Sequence, residues 1–149
     1  MPGSVTQSGA FVKTTPVPGE QSFIANVHVV QLAWTGDSVT GAVPPTPINT
    51  DLQAQMMGRW VAEVVTVPGQ PAPSQNWGVL VYDAQNVDIL GGAGLSRDRF
   101  CPQVAQPLGN GAPTQAAVDS QLTVTVSGNV VPGATGIIKL FTLTDRSKE

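Results

Sequence analysis

At 149 residues with 41% apolar content, the chain has the length for one domain built on one core. Only 11% of its residues are charged, where about a quarter is usual, and the net charge is −3. The seven Lys and Arg residues are scattered, which excludes the basic footprint of a nucleic-acid or anionic-membrane binder; a lone cysteine, Cys101, excludes an intrachain disulfide framework or thiolate zinc site.

The opening MPGSVTQSGA has no basic segment leading into an apolar run, so it does not read as a secretory signal. No apolar stretch reaches the length of a membrane span; Val27 to Trp34, one of the densest, is interrupted by Gln31. The chain is expected to be made in the cytosol and to be soluble. Residues 1–21 are rich in Ser, Thr, Gly and Pro, with Phe11 and Val12 as apolar anchors. Pro16 and Pro18 remove donors and favour extended backbone. This segment is expected to be an extended N-terminal arm, and residues 22–149 a single domain.

Strand-type runs follow. Ser22 to Trp34 carries apolar residues on both alternate faces, as a largely buried strand requires. Thr35-Gly36-Asp37 breaks it, Ser38 to Val43 predicts a second short strand, and Pro44-Pro45-Thr46-Pro47 stops that one. Asp51 to Met57 has helical propensity, with Thr50 as cap and Gly58 as the closing residue. Arg59 to Val67 is again two-faced and ends at Pro68-Gly69. Trp77 to Asp83, Val87 to Leu90, Gln121 to Ser127 and Gly136 to Thr144 complete the set. Short strands punctuated by Pro and Gly predict an all-β protein, an antiparallel β-sandwich of jelly-roll-like or Ig-like kind.

The segment Asp83-Ala84-Gln85-Asn86-Val87-Asp88 poses the chemical question. Two carboxylates this close suit either a metal site or a tight turn. A calcium loop needs oxygen ligands at alternating positions and a closing Glu, and no Glu follows here. Asp83 can accept N–H groups further along the turn, and Asn86 tolerates left-handed backbone. Asp83, Asn86 and Asp88 are therefore read as turn-forming residues, with Asp88 opening a return strand toward Gly91-Gly92. No metal site and no cofactor are expected.

Within Arg59–Ser96 the chain carries W-V-A-E-V-V-T-V-P-G, then N-W-G-V-L-V-Y-D, then N-V-D-I-L-G-G. This resembles small structural proteins of tailed bacteriophages. In those, a strand ending in Thr-x-Pro-Gly precedes an Asn-Tyr strand and a D-x-x-G-x-D-x-L-G-G hairpin. A closing strand and a terminal Gly-x-Ile strand correspond to Leu122–Ser127 and Gly136–Phe141 here. Asn86 stands where the family has Gly, and Trp77 where it has Tyr; Asn is the next-best left-handed residue, so the turn survives the change. The resemblance implies a virion protein, made in the host cytoplasm. Within that implication a capsid decoration protein, binding the major capsid protein or other virion proteins as a homo-oligomer, is preferred. A neck- or tail-associated protein, or an appendage binding a receptor or carbohydrate, is the alternative. Phe11, Val12, Arg97 and Arg99 are the candidate assembly contacts.

An enzyme is not expected, because the sequence offers no nucleophile–base pair and no paired carboxylates on neighbouring strands. His28 lies mid-strand with no second histidine in the chain, so it reads as structural. Cys101 reads as a buried apolar thiol. Gly91-Gly92-Ala93-Gly94 has the composition of a phosphate cradle but lacks the Lys-Ser/Thr that completes one. Trp34, Trp60 and Trp77 lie in apolar runs and read as core rather than as a sugar-stacking platform.

Overall fold

The computed structural model of the chain describes residues 1–12 and 27–144. In chain order the elements are β1 (Ser4–Val12), β2 (Val27–Thr35), β3 (Thr46–Pro47), α1 (Thr50–Met56), β4 (Trp60–Pro68) and β5 (Gly78–Tyr82). Then come β6 (Gln103–Ala105), β7 (Leu108–Gly109), β8 (Ala112–Pro113), β9 (Ala116–Ala117), β10 (Thr123–Ser127) and β11 (Thr135–Leu143). The larger sheet has the order β1-β2-β11-β4-β6, with β9 also paired to β4; the smaller is β3-β10-β5, and β7-β8 is a separate ribbon. Every pairing is antiparallel. The protein is an all-β sandwich.

Alternation along the strands builds the core. His28, Val30, Leu32 and Trp34 of β2, with Ile138 and Leu140 of β11 and Val61 and Val64 of β4, turn inward. They face Val79 and Val81 of β5 and Val124 and Val126 of β10. Trp34 and Trp77 pack at one end with ring centroids 5.3 Å apart and tilted by 53°, a geometry favourable for aromatic pairs. Gly136 is required there, since a Cβ would lie 2.6 Å from the Trp34 indole nitrogen.

Residues 4–12 of the segment read as an arm are extended but form β1, paired along its whole length with β2 of the same chain. Residues 13–21 of that segment lie outside the described residues. Two side chains tie β1 down. Val5 packs against the core. Gln7 donates from Nε2 to the Pro47 carbonyl at 2.9 Å and accepts from the Asn49 N–H at 2.8 Å. Exposed Ser4, Thr6, Ser8 and Ala10 alternate with these inward positions, the pattern of an edge strand.

Two expected strands are absent. Ser38 to Val43 turns because Asp37 Oδ1 accepts the N–H groups of Val39 and Thr40 at 2.7 and 3.0 Å, and Gly41 has φ of +76°. Val87 to Leu90 is replaced by turns, for reasons given below. Thr46–Pro47, read as a stop, instead forms the short edge strand β3, where proline's missing donor is tolerated. α1 begins at Thr50 rather than after it, and no side chain caps it. It is held instead through buried Gln53, whose Nε2 donates to the Ser120 carbonyl at 2.8 Å and whose Oε1 accepts the Leu122 N–H at 3.0 Å.

Candidate interaction surfaces

The side of the large sheet facing away from the core is set by register. Residues paired across antiparallel strands share a face. One cross-row holds Val27, Leu143 and Trp60, and the next Ala10, Val29, Phe141 and Glu63. The third holds Ser8, Gln31, Lys139, Val65 and Val104, and the fourth Thr6, Ala33, Ile137 and Val67. The bulge between Phe141 and Thr142 restores the inward aim of Val61 after Glu63. The β2, β11 and β4 members of this grid are partly exposed, and none belongs to the buried core cluster. Val104 is 62% exposed. A groove of about 320 Å³, bordered by Thr6, Ala33, Val67, Thr135 and Ile137, opens toward one end of this grid.

The turn after β5 is built by two carboxylates that receive backbone N–H groups. Asp83 Oδ1 accepts from Gln85 and Val87 at 2.9 and 3.0 Å, and Asn86 sits at φ of +63°. Asp88, expected to open a return strand, makes one bridge to Tyr82 and collects backbone N–H groups instead. Its Oδ1 accepts from Val81 at 3.0 Å and from Leu90 at 3.2 Å, and its Oδ2 accepts from Gly92 at 2.9 Å. The carboxylate takes the place of a strand carbonyl beside β5, while the Ile89 N–H returns to the Val81 carbonyl at 2.8 Å. That substitution is why Val87 to Leu90 makes a single bridge rather than a ladder. Among the described residues no group of three or more His, Cys, Asp or Glu side chains could hold a metal ion.

A polar cluster lies inside one end of the large sheet. His28 is fully buried, and its Nε2 donates to Gln55 Oε1 at 2.8 Å, leaving Nδ1 without a partner. Burial holds the imidazole below its usual 6.5; the Gln55 hydrogen bond opposes this and the Arg59 charge adds to it. Arg59 reaches Thr142 through Nε to Oγ1 at 3.0 Å and through Nη2 to the carbonyl at 3.1 Å. Burial lowers its pKa as well. Phe11, 53% exposed, covers the cluster, its ring 4.5 Å from the His28 ring and 5.6 Å from the Arg59 guanidinium carbon.

Arg97 and Arg99 are at the other end. Arg97 bridges Trp77, its N–H 2.6 Å from the Trp77 carbonyl, and Trp77 packs on Trp34. Trp34 lies six positions beyond His28 along β2, roughly 20 Å of strand, so the four candidate contacts do not form one site. The Arg99 guanidinium carbon lies 4.7 Å from the centre of the exposed Phe100 ring. Cys101 is exposed, not buried as expected. The cause is Asp98, whose Oδ1 accepts from the Phe100 and Cys101 N–H groups at 2.7 and 2.9 Å and turns this loop outward. Those bonds also hold the Asp98 carboxyl below its usual range.

No family model and no curated protein matches this chain. A solved structure titled "Cyanophage Pam1 capsid asymmetric unit" overlays 89% of this chain on 94% of its own, with 16% identity and a TM-score of 0.40. At that score the likeness bears on neither fold nor role.

The signal of the outer grid lies in the sequence, but it has two readings. Apolar residues on both faces of β2 and β4 predict strands buried on both sides, and one side is partly exposed. Of the three tryptophans, Trp34 and Trp77 are core, whereas Trp60 lies on the outer grid, partly exposed. The Arg59–Thr142 link joins residues 83 positions apart, and nothing local announces it.

Proposed function

We propose that this chain is a structural protein of a bacteriophage virion, a capsid decoration protein that joins the shell as a homo-oligomer. One observation carries the reading: a chain with 11% charged residues leaves the outer face of its largest sheet apolar and partly open. Such a face is suited to being covered in an assembly. The resemblance of residues 59–96, 122–127 and 136–141 to tailed-phage structural proteins supplies the setting. Phe11 and Val12 at one end, with Arg97 and Arg99 at the other, are the residues assigned to contact with the major capsid protein or its neighbours. Exposed Phe100 extends the second group. The work done is mechanical: apolar and neutral polar surface is buried between shell subunits without desolvating many charges.

The test is co-sedimentation of the purified chain with capsids that lack it, together with imaging of complete particles. Decoration requires binding to empty shells and density spread over the whole shell. Density confined to one vertex replaces decoration by the neck- or tail-associated role. Binding to host surface glycan without binding to capsids replaces it by the appendage role.

A further inference from the structure

The outer grid carries its own charge pattern. At its centre four residues occupy the corners of a parallelogram: Lys139 beside Val65, and Phe141 beside Glu63. One diagonal joins a cation to an anion, and the other joins two apolar side chains. Among the described residues neither Lys139 nor Glu63 has an ion-pair partner. Gln31 stands beside Lys139 on its other side, and Val27, Val29, Ala33, Ile137, Val67 and Leu143 surround them. The patch is thus neutral as a whole and complementary to itself.

We propose that the outer face of the large sheet is an isologous interface that binds a second copy of this chain. The two-fold axis lies between the two sheets, parallel to both, along the perpendicular bisector of the Lys139–Glu63 diagonal. Lys139 then faces Glu63 of the second copy, and Glu63 faces its Lys139, as two-fold symmetry requires. The same axis runs close to Phe141 and Val65, so each packs on its own symmetry mate. Strands about 4.8 Å apart and alternate residues about 6.7 Å apart make the strands of the two copies cross in the roughly orthogonal class of sheet packing.

The area is adequate. Five strands span about 24 Å, and the overlap of two crossed faces covers about 600 Å² of each copy. The total of about 1,200 Å² meets the lower bound for a specific, stable interface. A capsid subunit could also cover an apolar face. The paired opposite charges inside this one, however, are what a self-facing patch needs.

The inference rests on the homo-oligomeric part of the proposed function, and its test contains no capsid, so the two fail separately. Sedimentation velocity is run on the full chain over a concentration series. The parent sequence is compared with Lys139→Glu, Glu63→Lys, the double exchange, and Thr125→Lys on the opposite sheet as control. Circular dichroism and thermal melting confirm that each variant is folded. The expected result is a dimer for the parent and the control. Each single exchange raises the dissociation constant about tenfold or more, and the double exchange returns it to within about threefold of the parent. A parent chain that stays monomeric up to about 100 μM overturns the proposal. Single exchanges that leave the dimer intact, or a folded double exchange that fails to restore it, overturn it equally.

Discussion

The two sheets of this sandwich present opposite outer faces. The small one shows Thr123, Thr125 and Ser127 of β10 beside Leu80 and Tyr82 of β5, an ordinary polar-out alternation. The large one shows Val29, Ala33, Ile137, Phe141, Val65 and Val67 around Gln31, Lys139 and Glu63. Both sheets feed the same core, so core packing cannot account for the difference. A monomer needs water-compatible side chains on both outer surfaces. The large sheet departs from that rule along three adjacent nine-residue strands, β2, β11 and β4, and so reads as a surface made to be covered.

The sharpest way to break the comparison is along β11 itself, where neighbouring residues point to opposite sides. Leu140→Ala should cost about 3 kcal/mol in chemical denaturation, because it opens a cavity among fully buried side chains. Phe141→Ser, measured at protein concentrations where the chain is monomeric, should cost less than about 1 kcal/mol. Equal costs would mean that the outer face is covered within the monomer.

Removing residues 1–12 tests whether β1 belongs to the sheet. Nine paired positions and the packing of Val5 and Phe11 are lost, with an expected destabilisation on the order of 2–3 kcal/mol. The bare edge of β2 should also promote association. A truncated chain with an unchanged melting temperature and unchanged solubility would return β1 to the status of an arm.

The turn after β5 gives smaller effects. Asp88→Ala leaves three N–H groups without their acceptor and should cost about 2 kcal/mol. Asn86→Val should cost about 1 kcal/mol or more at φ of +63°, whereas Asn86→Gly should be neutral or slightly stabilising. Chelators should leave the melting temperature unchanged, because Asp83 Oδ1 and both Asp88 oxygens are occupied by backbone donors. A drop on adding EDTA would reinstate a metal.

The smallest effect is a pH dependence. His28 is held below 6.5 when folded, so the unfolded chain takes up its proton first as the solution is acidified. Its contribution is complete above about 6.5 and is lost as pH falls from there through the folded value. The melting temperature should therefore decline below that point, and His28→Gln should flatten the decline. An unchanged slope in His28→Gln would assign the dependence elsewhere.

Much of this was legible because it is local. The alternation of Leu122 to Ser127 and of Gly136 to Thr144 fits strands paired at any partner's edge, and both formed. Asn86 adopts left-handed backbone for reasons confined to its own turn. Cys101 departs from its expected burial because the bonds that turn its loop outward come from the Asp98 side chain. β1 departs from the expected arm because a small, polar edge strand has the same composition as a loose terminus.

The sequence by itself determined the class of the fold and its antiparallel strands, since these depend on side-chain period and turn chemistry. Only the tertiary structure decided which of two apolar faces enters the core. A strand with apolar residues on both sides carries the same pattern whichever side is buried. The choice is made by the partner sheet, which offers Val79, Val81, Val124 and Val126 to one face of the large sheet, whereas the grid on the other stays outside the core and partly exposed.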